Sequence, residues 1–492
     1  MRLTEIIKAI KGEICFSSED IEREIHSIQV DSRKHAENGL FVCIKGERTD
    51  SHSKAMEAIR NGAVALIVEK RLSVSVPQIL VPDSRIALGK AAAIFYGEPA
   101  KEMKIIGITG TNGKTTTSYM LSSILEQEGK NVGVIGTLGV KYGGKMYPSA
   151  LTTPDTLDLY KTFAQMRAKG VEYVIMEVSA HALHHKKTAG IEFFACIFTN
   201  LTQDHLDFFK NMQSYKEAKE RLFQEYGDCV AILNGDDECG REIGKFREKQ
   251  GKGKTLYYGL NTPADSFAII TAEGLDGTEC MLNISDKLCR ISLSIIGRHN
   301  VYNALAAATC AAELGASMTS IARGLIALEN VSGRLEYIGA HKDVKVYVDF
   351  AHTPEALRNS LDTLKRYCKG RLLCLFGCGG NRDKGKRAMM GEIAAKYADF
   401  TILTSDNPRY EDPLDIISEI EKGHRRFSAR YVVVPDRETA IDYALDFSKG
   451  EDILLIAGKG GEDYQEIMGI KYPFKDNDIT VKLLKKKEKE LC

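Results

Sequence analysis

The segment GITGTNGKTTT, residues 107–117, sets a glycine-rich turn between an apolar strand, KIIGIT, and a helix-compatible stretch, SYMLSSILEQEGK. Backbone N–H groups of such a turn, together with the helix N-terminus, favour the oxygens of a phosphate group. Gly110, Thr111, Asn112, Gly113, Lys114, Thr115 and Thr116 therefore form a candidate nucleotide-triphosphate loop. Lys114 would reach the terminal phosphates, and Thr115 could offer its hydroxyl to Mg²⁺. The spacing departs from GxxxxGK[ST]: position 108 is Ile, so the loop is the shorter Gly110-x-x-Gly113-Lys114-Thr115. The alternative is an ordinary strand–helix turn that contains glycines. The Lys-Thr pair in register after a strand favours the nucleotide.

Other polar groups sit at strand ends. Glu177 closes YVIMEV, and His205 lies in TNLTQDHLD just past FACIFTN. A carboxylate and an imidazole on the rim of one sheet could ligate Mg²⁺ beside the phosphates. On these residues alone, a solvated strand end and a capped helix start explain them better. His181, His184 and His185 suggest zinc, but no Glu stands in an HExxH frame, which favours surface or substrate-contact histidines. Lys219, in SYKEAKERLF, reads locally as a solvated helical lysine. Asp349 and His352 follow the strand KVYVDF. Arg409 follows Pro408 in SDNPRYEDP, where the proline stiffens the turn and restricts Asn407. A guanidinium there could fork a carboxylate; an Asn-Pro turn with an exposed Arg is the plain alternative. GCGGNRDKGKR brings Arg382, Lys384, Lys386 and Arg387 to another strand end, either for anions or for solvent. GKGGED adds Glu462.

Positioning these groups takes several domains, and the 492 residues divide by about 150 into roughly three. A hydrophobic fraction of 43% supplies substantial cores. The 67 basic and 67 acidic residues cancel, which argues against a protein that coats nucleic acid. The N-terminus reads as no signal peptide, and no apolar run reaches membrane-span length. The 12 cysteines contain no CxxC pair and read as reduced thiols, not as zinc ligands. The tail KLLKKKEKELC reads as a solvated helix end. These features fit a cytoplasmic protein that engages no nucleic acid and inserts in no membrane; a monomer is expected, although no feature of the sequence sets the oligomeric state. From Lys104, strands alternate with helices, which implies a parallel sheet with crossovers. From about Val331 a second such rhythm begins. Ligands of open α/β sheets bind beyond the carboxyl ends of the strands, where the polar clusters stand.

Taken together, the clusters resemble the Mur ligase family. The resemblance rests on DSR at 31–33, GITGTNGKTT at 107–116, TTPDT at 152–156, MEVSAHAL at 176–183, TNLTQDHLD at 199–207 and EAK at 217–219. It continues through GRHNVYNALAA at 297–307, GRLE at 333–336, DFAHTPEAL at 349–357, GGNRDKGKR at 379–387, DNPR at 406–409 and GKGGEDYQ at 458–465. It implies an α/β protein of three domains: a UDP-binding domain at 1–99, a central P-loop-type parallel-sheet ATPase domain at 100–331 and a Rossmann-like amino-acid domain at 332–492. The implied partners are ATP, UDP-N-acetylmuramoyl dipeptide and meso-diaminopimelate, with Mg²⁺ as cofactor.

The same resemblance assigns roles. Lys114, Lys219 and His205 serve the phosphoryl chemistry, and Thr115, Glu177, His205 and a carbamylated Lys219 the metal. Asn300, Arg334, Asp349 and His352 join the ATP loop. Ser32, Thr152, Thr153, Ser179, His185 and Lys187 contact the UDP-dipeptide. Arg382, Asp406, Asn407, Pro408, Arg409, Gly458 and Glu462 hold the amino acid, and DNPR accompanies diaminopimelate in preference to L-lysine. The chain departs from the family pattern at Ala180 for a second Ser, His185 for Gln, Lys187 for Arg, Gly461 for His and PFKDND at 473–478. The competing readings are a ligase for lysine, a divergent Mur-type paralogue, a folate- or cyanophycin-type ligase, and a P-loop ATPase or nucleotide-binding regulator with no ligase activity.

Overall fold

A computed structural model describes residues 1–14, 22–47, 49–226 and 228–490. The chain divides into two compact units, 1–107 with 131–195, and 108–130 with 196–492.

In the first unit, strands Glu13–Ile14, Gln78–Leu80, Ala63–Val68, Gly39–Val42 and Ser27–Gln29 lie side by side in that order. All pair in parallel except Glu13–Ile14. Leu40, Val42, Ala65 and Ile67 of one face pack with Leu3, Ile6, Leu88 and Ala91 of helices Leu3–Ile10 and Ser84–Phe95. Phe41, Leu66 and Val68 of the other face pack with Ala55 and Ala58 of helix Ala55–Arg60. Burial on both faces explains why Gly39–Val42 and Ala63–Val68 read as unbroken apolar runs. Asp83 starts the helix Ser84–Phe95 by accepting from the N–H groups of Arg85 and Ile86, and Gly97 turns the chain out with φ of 75°. Further on, Val132–Gly136 and Tyr173–Glu177 pair in parallel, with helix Thr156–Ala168 between them in sequence.

Lys104–Thr109 is the strand entering the glycine turn. In the second unit, Val230–Asn234 and Thr255–Gly259 extend the parallel run. The purely parallel expectation needs one amendment. Ser266–Gly274, Gly277–Ile284 and Lys287–Leu293 form an antiparallel meander, and in the first unit Gly139–Tyr142 and Lys145–Tyr147 do the same. Gly277–Ile284 alternates buried and half-exposed residues, so its apolar residues form no run.

The last sheet orders Glu336–His341, Val344–Asp349, Ile453–Ala457, Leu372–Phe376, Phe400–Leu403 and Tyr431–Val433, parallel after the first pair. Helices Pro354–Lys365, Gly385–Tyr397 and Pro413–His424 cover one face. Helices Arg437–Phe447 and Asp476–Glu490 cover the other. Arg437 and Asp476 form a fully buried fork at 2.8 and 2.7 Å, and the guanidinium also donates to the carbonyls of Ser405 and Ala457. The ten cysteines among the described residues are free; Cys15 and Cys492, and with Cys492 the end of the KLLKKKEKELC tail, lie outside them. Among the described residues no helix is long and apolar enough to cross a membrane.

Candidate active site

The phosphate loop is built as its residue types require. Helix Lys114–Gln127 begins at Gly113, whose φ of 87° suits glycine. A Cβ on Gly113 would also collide with Asn303 Oδ1, and one on Gly110 with Thr199 Oγ1. The TNLT segment frames the loop. Thr199 Oγ1 donates to Asn112 O at 2.6 Å, Asn112 N–H to Asn200 Oδ1 at 2.9 Å, and Thr111 N–H to Asn200 O at 2.8 Å. Below it, Thr117 Oγ1 donates to Asn303 Oδ1 at 3.3 Å and Asn303 Nδ2 to Asn300 Oδ1 at 2.9 Å. Both asparagines belong to the buried helix Arg298–Glu313.

Two lysines converge on one carbonyl. Lys114 Nζ donates to the carbonyls of Gly110 and Thr111, each at 2.8 Å, and Lys219 Nζ donates to that of Gly110 at 2.7 Å. Lys219 is 1% exposed, with its Nζ 4.4 Å from the centre of the Tyr215 ring. Burial, reinforced by the charge of Lys114, pushes its ammonium far below the ordinary lysine range. The local reading of a solvated lysine is therefore corrected. The helix Met212–Gln224 is amphipathic, and its buried face carries Tyr215, Ala218, Lys219 and Leu222.

Asp204 organises the residues around the loop. Its Oδ1 accepts from His205 N–H at 2.9 Å and from Lys386 Nζ at 3.3 Å; its Oδ2 lies 3.3 Å from His205 Nε2 and 3.5 Å from His352 Nε2. Burial opposes its ionisation, yet Lys386 and the two imidazoles hold the carboxyl well below its usual range. His205 is in the left-handed region with φ of 57°, a conformation that costs energy and persists only when the surroundings impose it. Arg334 stacks on Phe350 with its Cζ 4.5 Å from the ring centre and donates to Thr115 Oγ1 at 2.9 Å. Asp349 is buried, which raises its pKa, and it accepts from Leu335 N–H, Ala351 N–H and Ser360 Oγ.

A second cluster surrounds the DNPR turn. Asn407 Nδ2 donates to Glu462 Oε2 at 2.8 Å, and Lys459, fully buried, donates to both Asn407 Oδ1 and Glu462 Oε2 at 3.1 Å. A Cβ on Gly458 would crowd Asp406 Oδ2 at 2.7 Å. Arg409, at φ of 53°, donates to Glu466 Oε2 at 3.1 Å and to Gly380 O at 2.9 Å. This is more than an exposed arginine on a proline turn. Arg382 shares the region: a Cβ on Gly379 would lie 2.9 Å from Arg409 Nη1 and 3.6 Å from Arg382 Cγ.

In the first unit, Glu177 is buried and accepts from Thr137 N–H at 2.9 Å and Thr137 Oγ1 at 3.0 Å, so it is not a solvated strand end. Thr153 Oγ1 donates to Glu177 O, Ser179 N–H donates to Thr153 Oγ1, and Thr137 and Thr152 join through their hydroxyls at 3.1 Å. Ser179 caps helix Ala180–His184. Lys187 pairs with Asp155 at 2.7 Å. His185 is held below the ordinary imidazole range by burial and by Arg85 and His184. Ser32 donates to Glu57 Oε2 at 3.0 Å.

Among the described residues, no three His, Cys, Asp or Glu side chains gather as metal ligands. Sequence reasoning missed Asp204, Asn303 and Thr137. Asp204 is adjacent to His205 in sequence, but nothing local marks Lys386, 182 positions on, as its partner.

Comparison with known proteins accounts for this arrangement. Residues 24–96 match the Mur ligase family, catalytic domain; 108–311 the Mur ligase middle domain; and 333–460 the Mur ligase, glutamate ligase domain. A UDP-N-acetylmuramoyl-L-alanyl-D-glutamate--2,6-diaminopimelate ligase of Caldanaerobacter subterraneus subsp. tengcongensis is 42% identical over 99% of this chain and 100% of the relative. The enzyme of that name from Syntrophomonas wolfei is 41% identical over 99% and 100%. A solved structure of a ligase of the same name superposes with a TM-score of 0.71 at 30% identity, covering 99% of each chain. The chain belongs to the Mur ligase family.

Proposed function

We propose that this protein is the ATP-dependent ligase that adds meso-2,6-diaminopimelate to UDP-N-acetylmuramoyl-L-alanyl-D-glutamate in peptidoglycan precursor synthesis. The observation that carries this reading is the end-to-end match, at 42% identity, with a relative of that name. The segments 1–99, 100–331 and 332–492 divide the work between the UDP group, ATP and the amino acid.

The terminal D-Glu carboxylate attacks the γ-phosphorus of ATP; an acyl phosphate forms and ADP leaves. The amine of diaminopimelate attacks the acyl carbon, loses a proton, and expels phosphate from the tetrahedral intermediate. Charge builds on phosphoryl oxygens, so positioned cations and N–H donors supply most of the catalysis. Lys114 serves the terminal phosphates, with Gly110 to Thr116 around them, and Asn300, Arg334, Asp349 and His352 complete the nucleotide site.

The donor chemistry fits Mg²⁺ once Lys219 is considered. Burial, with the charge of Lys114, disfavours the ammonium form of Lys219 and so favours an amine that takes up CO₂ and loses a proton to become a carbamate. Lys219 carbamate, Thr115 and His205 would hold the ion. Bound Mg²⁺ supplies positive charge that offsets the charge developing on the transferring phosphoryl group.

Arg409 takes the carboxylate at the distal amino-acid centre of diaminopimelate, a group that L-lysine lacks. Arg382, Asp406, Asn407, Pro408, Gly458 and Glu462 form the rest of that pocket. Ser32, Thr152, Thr153, Ser179, His185 and Lys187 meet the UDP-dipeptide. The setting is cytoplasmic, and the acting form is the monomer.

The test is phosphate release. It should require ATP, the UDP-dipeptide and diaminopimelate together. Equal turnover without the dipeptide would mark a nucleotide switch, and equal turnover with L-lysine would mark a lysine ligase.

A further inference from the structure

Two adjacent buried cations open the helix Gly385–Tyr397, and they face different sites. Lys386 is 6% exposed and pairs with Asp204 at 3.3 Å. Arg387 is fully buried; it forks Glu411 at 2.9 and 3.0 Å, meets Glu419 at 3.0 Å and donates to Gly379 O at 3.2 Å. One residue on from that carbonyl, Gly380 O accepts from Arg409. The other end of the chain of contacts is Asp204, which touches His205 through both its backbone N–H and its imidazole.

Packing alone does not call for such a pair. Apolar side chains of the same volume serve stability as well as a buried ion pair, whereas removing one partner leaves an uncompensated charge. What an ion pair adds is a single allowed register between the elements that carry it. Here those elements are the segment leading into the short helix Leu206–Phe209 and the helix that borders the DNPR pocket. Gln203 adds a second tie across the same seam, donating to Asp383 Oδ2 at 3.4 Å.

We propose that Asp204 and Lys386 form a positioning pair: Lys386, carried by the amino-acid segment, fixes the carboxylate that holds His205 at the phosphate site. Phosphoryl transfer is then fast only when the amino-acid segment is seated. The acyl phosphate, which water would otherwise consume, forms beside a prepared amine pocket. This rests on the ligase reading above.

The test is positional isotope exchange in ATP with the UDP-dipeptide present and no amino acid added, a partial reaction that never uses the amino-acid pocket's ligand. Lys386→Met and Asp204→Asn should each slow exchange at saturating ATP by about tenfold or more, with KM for ATP within about threefold of the parent value. Because the two act as a unit, the double variant should be no slower than the slower single one. Lys386→Arg, which keeps the charge and the fold, should recover most of the rate. Three results overturn the pairing: parental exchange in Lys386→Met, losses that multiply in the double variant, or Lys386→Arg no faster than Lys386→Met. A parent enzyme with no dipeptide-dependent exchange refutes the ligase reading instead.

Discussion

Replacing Arg409 by Met tests the proposed selectivity for diaminopimelate directly. The turn that carries Arg409 is held by its backbone: its N–H donates to Glu466 O at 3.0 Å and its carbonyl accepts from Met468 N–H at 2.7 Å. The left-handed φ of 53° is equally uncomfortable for Met, so backbone strain cancels between the two proteins. What is lost is the guanidinium. Its side chain is only 15% exposed, and it already donates to Glu466 and Gly380. Losing one partner of a buried charge pair costs about 2–5 kcal/mol. With part of the fork engaged within the protein, the lower half of that range applies, about 2–3 kcal/mol, which is about a 30- to 150-fold fall in kcat/KM for diaminopimelate. L-lysine has no second carboxylate to lose. Its kcat/KM should hold or rise. The assay is phosphate release at saturating ATP and UDP-dipeptide, with each amino acid titrated separately. Equal falls for both amino acids would refute the assignment.

Three further outcomes are expected. Lys219→Ala should abolish most turnover, and the parent enzyme should show a ¹³C-carbamate resonance in labelled bicarbonate; a fully active enzyme with no such resonance argues against the modification. The Asp236 carboxyl, which accepts from Thr262 and Tyr302 and from the N–H groups of Leu260 and Asn261, is lowered from 3.8 to about 2. Its contribution is complete above pH 3.8 and is lost as pH falls toward about 2, so urea denaturation of Asp236→Asn should show a flatter acid limb; an unchanged limb contradicts this. Arg437→Met leaves Asp476 buried without its partner and should cost about 3–5 kcal/mol, with much of that regained in Arg437→Met/Asp476→Leu; thermal melting that shows no recovery would mean that the fork does more than neutralise charge.

The parts of this protein that were legible in sequence are those whose signal is local. The phosphate loop could be read because glycine spacing, a preceding apolar strand and a Lys-Thr pair all fall within 107–117. The parallel strands could be read because burial on both faces makes continuous apolar runs. The meander at 266–293 could not, since its strands alternate inward and outward residues with polar interruptions. The burial of Lys219 was hidden too: the charged run Lys216 to Arg221 conceals which of its lysines faces inward. The resemblance restored the proposed role, but the reasons for the shifted pKa, burial first and then the nearby Lys114, needed coordinates. Asp204 with Lys386, and Gly113 with Asn303, are pairs of distant residues, and neither member announces the other.

The amide ladder beneath the phosphate loop also sets a timetable for synthesis. Residues 107–117 leave the ribosome early, but the floor of the loop is Asn303, on a helix that ends at Glu313. The loop therefore has no finished shape until nearly two hundred further residues have been made. A nascent chain carries the complete phosphate motif through most of its synthesis without the support that gives the motif its form, so nucleotide turnover should begin only after the helix Arg298–Glu313 has emerged.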